Sequence, residues 1–284
     1  MEQNGTKEKK KGGCLKVGLI VLLVLVLGIG AAVFIWYKSH EQEIKDASAE
    51  KNTVTYVGQT MPEFEATTTD GETVSLSSLM DGKEVTVVVF FATWCGPCED
   101  EFPFMDEIYK KYQDKMSMIA LDVDSLDTEK SAKEYADSHG FSFPVAYFPD
   151  GVEGIRTTAY PTTLIIDRNG KIGMHRVGSI PDPETFEMLV NKFMGDDYQE
   201  TQVGYYTFAA YTKKDRAAGT EFTVTSESGT RTYTTGANGL CDVFTDKPED
   251  LKVRVTSVPD GFTIDGSGEI QSGIGSTVIQ LPVK

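Results

Sequence analysis

Histidine and cysteine are scarce in this 284-residue chain, with three of the first and four of the second. A disulfide-dense scaffold needs more cysteines. A zinc site needs more ligands at paired spacing than Cys14, Cys95, Cys98, Cys241, His40, His139 and His175 offer. Neither a metal nor a cofactor is expected. Basic charge is scarce as well: 27 Lys and Arg stand against 43 Asp and Glu, a net charge of −16. Five of the basic residues lie in the first 37 positions, and the rest of the chain holds 22 basic and 41 acidic residues. A body of that sign repels phosphate, so nucleic acid is not an expected partner, and the acidity serves solubility. The 40% hydrophobic and 25% charged fractions are those of a folded protein, and the length allows one or two domains.

Charge is missing altogether from Val17 to Tyr37. As a helix this run would measure about 31 Å, enough to cross a hydrocarbon core. Lys7, Lys9, Lys10, Lys11 and Lys16 precede it, which puts the N-terminus in the cytoplasm and the remaining chain outside. Gly30 and Ala32 would suit signal cleavage, but Val33–Tyr37 prolong the apolar run, so an uncleaved anchor is favoured. Cys14 lies on the basic side of the run and reads as an incidental juxtamembrane thiol. The expected organisation is a basic tail (1–16), a membrane anchor (17–37), a polar tether (38–53), an α/β domain (54–195), a linker (196–204) and a β-sandwich (205–284).

Within the α/β stretch, "VGQTMPEFEATTTDGETVSLSSL" suggests a hairpin turning at Asp70-Gly71. "EVTVVVFFA" (84–92) has the continuous β-branched character of a buried central strand. Phe102, Met105, Tyr109 and Tyr112 recur at helical spacing, with a kink expected at Pro103. A strand over 116–124, a helix over 127–140, two strands joined at Asn169-Gly170 and a helix over 182–195 follow. Beyond residue 204, short Thr- and Gly-rich alternating runs predict five or more strands.

"ATWCGPCEDEF" (92–102) carries the chemistry. Cys95 follows a buried strand and opens a helix, where unpaired backbone N–H groups and the helix dipole stabilise a thiolate. That makes Cys95 the nucleophile, and Cys98, one turn later, the resolving thiol. Gly96 and Pro97 shape the turn between them, and Trp94 flanks the nucleophile. A permanent staple is the bland alternative, but a bridge closing so small a loop contributes little stability. Glu101 reads either as a carboxyl turned back toward the thiols, its pKa raised by burial, or as one more exposed acid in the first turn. Pro161 in "AYPTT" is either a loop proline or an X-Pro bond poised to be cis.

Trp94-Cys95-Gly96-Pro97-Cys98, the proline of "YPTT" and the strand order resemble the thioredoxin superfamily. "FFATWC", "CEDEFPFM" and "FPV" (143–145), with the hairpin lead-in, narrow the resemblance to the TlpA/ResA-like membrane-anchored thiol-disulfide oxidoreductases over residues 54–195. It implies a thioredoxin-like α/β/α sandwich. It also implies a cis Pro161 against the thiols, Glu101 in proton transfer, and supporting places for Trp94, Gly96, Pro97, Tyr160 and Pro161. Val89 stands where thioredoxin buries an aspartate, which fits a carboxyl supplied from the helix instead. "GTEFTV", "GANGLCDVF" and "VTSVPDGFTID" resemble Cna-B/SpaA-like, transthyretin-like sandwiches. Such domains often carry a Lys–Asn isopeptide bond. "YYTFAAY" lacks the lysine and Val255 replaces the assisting acid, so no such bond is expected. Cys241 is expected in the sandwich core beside Val243.

The Gly-Pro dipeptide is that of thioredoxin, a reductant at about −270 mV. The primary expectation is therefore an extracytoplasmic reductase of exported disulfide proteins, apocytochromes among them. By resemblance, a CcdA/DsbD-type membrane carrier would re-reduce it. A disulfide-forming oxidant, a peroxiredoxin-like peroxidase and a non-catalytic surface binding protein are the alternatives.

Overall fold

β-Branched density decides the centre of the fold. The computed structural model describes residues 55–196, 198–272 and 278–284. The tail, anchor and tether, with Cys14, fall outside the described residues, among which no helix is long and apolar enough to cross a membrane. Strand β3 (Val85–Phe91) is buried along its whole length and lies in the middle of a five-stranded sheet, order β5-β4-β3-β6-β7. Its neighbours are β4 (Met116–Asp122), parallel, and β6 (Thr162–Asp167), antiparallel; β5 (Val145–Tyr147) and β7 (Ile172–Val177) form the edges.

Both faces of that sheet are covered, which is why β3 shows no polar alternation. Val87, Val89 and Phe91 face helix α2 (Gly96–Tyr112) and helix α4 (Pro183–Asn191), with Tyr135 of α3 (Glu129–His139) in the same cluster. Val88 and Phe90 face the hairpin of β1 (Glu65–Thr67) and β2 (Thr73–Ser75) and the short α1 (Leu76–Met80). Local chemistry sets the helix ends: Thr128 caps α3 and Gly140 closes it in the left-handed region at φ 64°. Asp182 caps α4, with Pro183 in its first turn. α2 continues as one helix through Pro103, the position where a kink is expected. The carbonyl four residues earlier belongs to the exposed Glu99, where water can replace the missing N–H.

The C-terminal strands form two facing sheets. β8 (Gly204–Ala209) lies between β11 (Leu240–Thr245) and β14 (Val278–Gln280). β9 (Glu221–Ser226) pairs with β10 (Gly229–Thr234) and β12 (Leu251–Ser257), and β13 (Glu269–Ser272) completes the second sheet. On β12, Leu251, Val253 and Val255 point inward while Lys252 and Arg254 point out. Cys241 touches the sandwich core on the side of Val243 but is only half-buried, a correction to the buried position expected; its partial burial pushes the thiol pKa up.

β8 departs from the alternation of a sandwich strand, since all six of its residues are buried. Tyr206 and Phe208 enter the sandwich core. Tyr205 and Val203 join the cluster that contains Cys95 and Cys98. Val203 donates its N–H to Gly173 O at 2.8 Å and bridges in parallel to Met174 of β7. The α/β part therefore covers the outer face of this three-stranded sheet.

Candidate active site

The chain leaves the carboxyl end of β3, turns at Ala92 (whose carbonyl accepts from Cys95 N at 3.1 Å) and enters α2 with Cys95 as the N-cap residue. Cys95 Sγ accepts from Cys98 N at 3.2 Å, the bond a Ser or Asp would make in that place. A thiolate there gains both an N–H donor and the positive helix end. Cys95 and Cys98 form a disulfide, with Cα atoms 5.3 Å apart. Cys98 is fully buried and Cys95 nearly so, while Gly96 and Pro97 between them are exposed. A side chain at Gly96 would meet open space, so steric demand does not select this glycine.

Trp94 is 64% exposed, yet its position is defined: Nε1 donates to Asp124 Oδ2 at 2.7 Å and the ring meets Tyr160 edge-on at 5.8 Å. The Tyr160–Pro161 bond is cis, and Pro161 is buried just ahead of β6, whose Thr162 pairs with Phe90 near the end of β3. Trp94, Cys95, Tyr160 and Pro161 thus gather at one end of the sheet although 65 residues separate Cys95 from Tyr160.

Glu101 is not an exposed first-turn acid. Only 1% of it is accessible; Oε2 accepts from Ile180 N at 2.9 Å, and Oε1 is buried without a hydrogen-bond partner. Burial pushes its pKa up to about 8, against the opposing pull of the Ile180 amide and the Arg176 charge. A carboxyl so held is neutral at pH 7 and can give or take a proton nearby.

A second carboxyl was missed by sequence reasoning. Asp122 ends β4 opposite Phe91, is wholly buried, and has its pKa raised to about 7. Burial is the main cause, with the charges of Asp127 and Asp124 adding to it. Its Oδ1 accepts from Asp124 N, while Oδ2 has no hydrogen-bond partner. Asp127 in turn holds the loop before the cysteines, accepting from Thr93 N at 2.9 Å and from Thr93 Oγ1. The available signal was the spacing in "ALDVDSLD", acids placed at and directly after the end of a largely apolar strand. Among the described residues, no His, Cys, Asp and Glu group is arranged to hold a metal ion.

The AhpC/TSA family model matches residues 57–175. The chain is 32% identical over 173 residues to the thioredoxin-like protein YneN of Bacillus subtilis, covering 60% of this chain and 94% of that one. It is 34% identical over 175 residues to the thiol-disulfide oxidoreductase ResA of Bacillus cereus, covering 60% and 90%. A thioredoxin-family thiol:disulfide interchange protein from Chlorobium tepidum aligns over 50% of this chain and all of its own, at 27% identity and a TM-score of 0.41. The matched stretch holds a disulfide at the N-terminus of α2, at the carboxyl end of the central strand. The chain belongs to the ResA-like, thioredoxin-fold family of thiol-disulfide oxidoreductases.

Proposed function

We propose that this chain is a membrane-anchored reductase of disulfides in exported proteins, working outside the cytoplasm. The observation that carries the chemistry is the Cys95–Cys98 pair at a helix N-terminus, with the buried, half-satisfied carboxyl of Glu101 on the same helix. In the reduced enzyme, the Cys95 thiolate attacks a client disulfide; one client sulfur leaves as thiolate and a Cys95–client bond forms. Cys98 then loses its proton to Glu101 in the fraction of the enzyme in which that carboxyl is ionised, and attacks Cys95 Sγ. The second client thiolate leaves, and two electrons have passed to the client. In the reverse sense, opening of the enzyme disulfide by a donor dithiol releases Cys98 thiolate, which takes the proton back from Glu101. Trp94 and Tyr160 form an aromatic rim, and the exposed Gly96-Pro97 backbone leaves room for a client strand.

The location rests on the apolar run at 17–37 and the lysines before it, and on that location rests the need for a CcdA/DsbD-type carrier to supply electrons. Apocytochromes are one class of client. Cys98→Ala should accumulate Cys95–client mixed disulfides that non-reducing electrophoresis resolves, and Cys95→Ala should reduce no insulin. A Cys95–Cys98 potential close to the roughly −120 mV of a strong oxidant would overturn the reductase direction.

The AhpC/TSA match favours one second reading, a peroxidase. Against it, the Thr93 hydroxyl is committed to Asp127 and a second cysteine lies three residues from the first. Peroxide consumption by the Cys98→Ala protein at the rate of the wild type would support it.

A further inference from the structure

β8 is buried on both faces, and its outer face meets the redox core through its own Tyr205 and through Arg176 of β7. Arg176 of β7 is 5% exposed. Its guanidinium lies 4.1 Å from the centre of the Tyr205 ring, and Nη2 donates to Thr207 Oγ1 at 2.8 Å. Thr207 donates onward to Asp242 Oδ1, and the Tyr205 hydroxyl donates to Asp242 Oδ2 at 3.1 Å. Asp242 pairs with Thr207 across the β8–β11 ladder, and Phe244 pairs with Tyr205 with rings 4.6 Å apart. Four side chains of the sandwich thus form a seat for one arginine of the α/β part.

Arg176 also reaches the loop that holds Glu101, and its charge acts on that carboxyl. The same Nη2 reaches Ser179 O at 3.3 Å, and the next residue, Ile180, supplies the amide that binds Glu101 Oε2. We propose that the C-terminal sandwich is a working part of the redox centre: Tyr205, Thr207 and Asp242 hold Arg176, and Arg176 holds the 177–180 loop and its positive charge against Glu101. Arg176 and Thr207 are positioning residues, since neither meets a sulfur. The inference rests on the reading of Glu101 as the proton carrier. The other groups that act on this centre are Tyr135 of α3, coupled electrostatically to Glu101, the two cysteines on its own helix, and Asp182 at the α4 cap, coupled to Tyr205. Arg176 opposes the burial that raises the Glu101 pKa, so loosening the arginine should raise it further.

The test is the pH profile of Cys95 alkylation by iodoacetamide in the reduced full-length chain, with thermal melting as the control for folding. Glu101→Gln identifies the inflection that belongs to Glu101. Thr207→Val should move that inflection upward by about half a pH unit or more. Arg176→Met should move it at least as far, with the neutral Arg176→Gln in its place should the Met variant not fold. The double variant should move it no further than the arginine variant alone, since both changes act through one side chain. An inflection unmoved by Thr207→Val, or two fully additive displacements, overturns the inference while leaving the Glu101 role standing. An inflection that survives Glu101→Gln overturns the Glu101 role and the inference with it.

Discussion

Glu101 and Asp122 each hold a buried carboxyl oxygen with no hydrogen-bond partner, and both have pKa values raised chiefly by burial. Between the ordinary carboxylate range and these values, the folded state binds more protons than the unfolded one. Stability must therefore fall as pH rises, from about 4.5 to about 8 for Glu101 and from about 3.8 to about 7 for Asp122. Glu101→Gln keeps an acceptor for the Ile180 amide and loses the titration. Urea unfolding of the oxidised protein should find the variant gaining on the wild type from pH 5 to pH 8. The gain should be a few kcal/mol at most, because each tenfold change in proton affinity is worth about 1.4 kcal/mol. A difference that stays flat with pH would mean that Glu101 is not buried as the neutral acid. The same variant should slow insulin reduction by roughly tenfold or more at pH 7, the scale of a lost proton carrier. Helical spacing alone allowed Glu101 to be turned toward the thiols or out to water. The Ile180 amide decides the matter, and it comes from a loop 79 residues away in the sequence.

Among the helices and strands, the long apolar runs and the turns marked by Asp-Gly or Asn-Gly were legible, and several short pieces without such a mark were not. β3, β4, the hairpin turn at Asn169-Gly170, the close of α3 at Gly140 and the start of α4 at Asp182 follow from local patterns, whereas α3 begins at Glu129, capped by Thr128, and not at the expected 127. β5, β13 and α1 are three to five residues each, too short to show a period, and only their neighbours make them regular. Thr128 and Ser131 form a reciprocal capping box at the start of α3, directly after Asp127, whose carboxylate holds Thr93. Thr128→Ala should cost about 1 kcal/mol of stability in chemical denaturation. Reduction of insulin at room temperature should be nearly unchanged, because Asp127 has its own backbone anchor at Asp124 O.

For the molecule as a whole, the decisive contact is the one between β7 and the start of the sandwich. Gly173 lies under residues 201–203: an added Cβ would overlap the Phe193 ring and approach Thr201 O to 2.9 Å. Gly173→Ala should therefore cost about 1–3 kcal/mol, the penalty of overpacking, and should lift Val203 from Gly173 O. Limited proteolysis should then cut near residues 196–204 faster than in the wild type, whereas a segment that is a free linker in both proteins would be cut equally. Composition marked 196–204 as a connection. It carried no sign that Val203 and Tyr205 pack into the redox core.

What depends on neighbours within a turn or two could be read from the chain alone: the disulfide-forming pair, its place at a helix start after a buried strand, the close of α3 at Gly140 and the start of α4 at Asp182. Those properties come from backbone geometry and side-chain spacing, which a short stretch carries complete. Folding was needed to settle which carboxyls lose their water, that Asp122 belongs beside the site, and that Arg176 links it to Thr207 and Asp242. Desolvation and charge pairing are properties of the packed neighbourhood, and its members come from segments tens of residues apart.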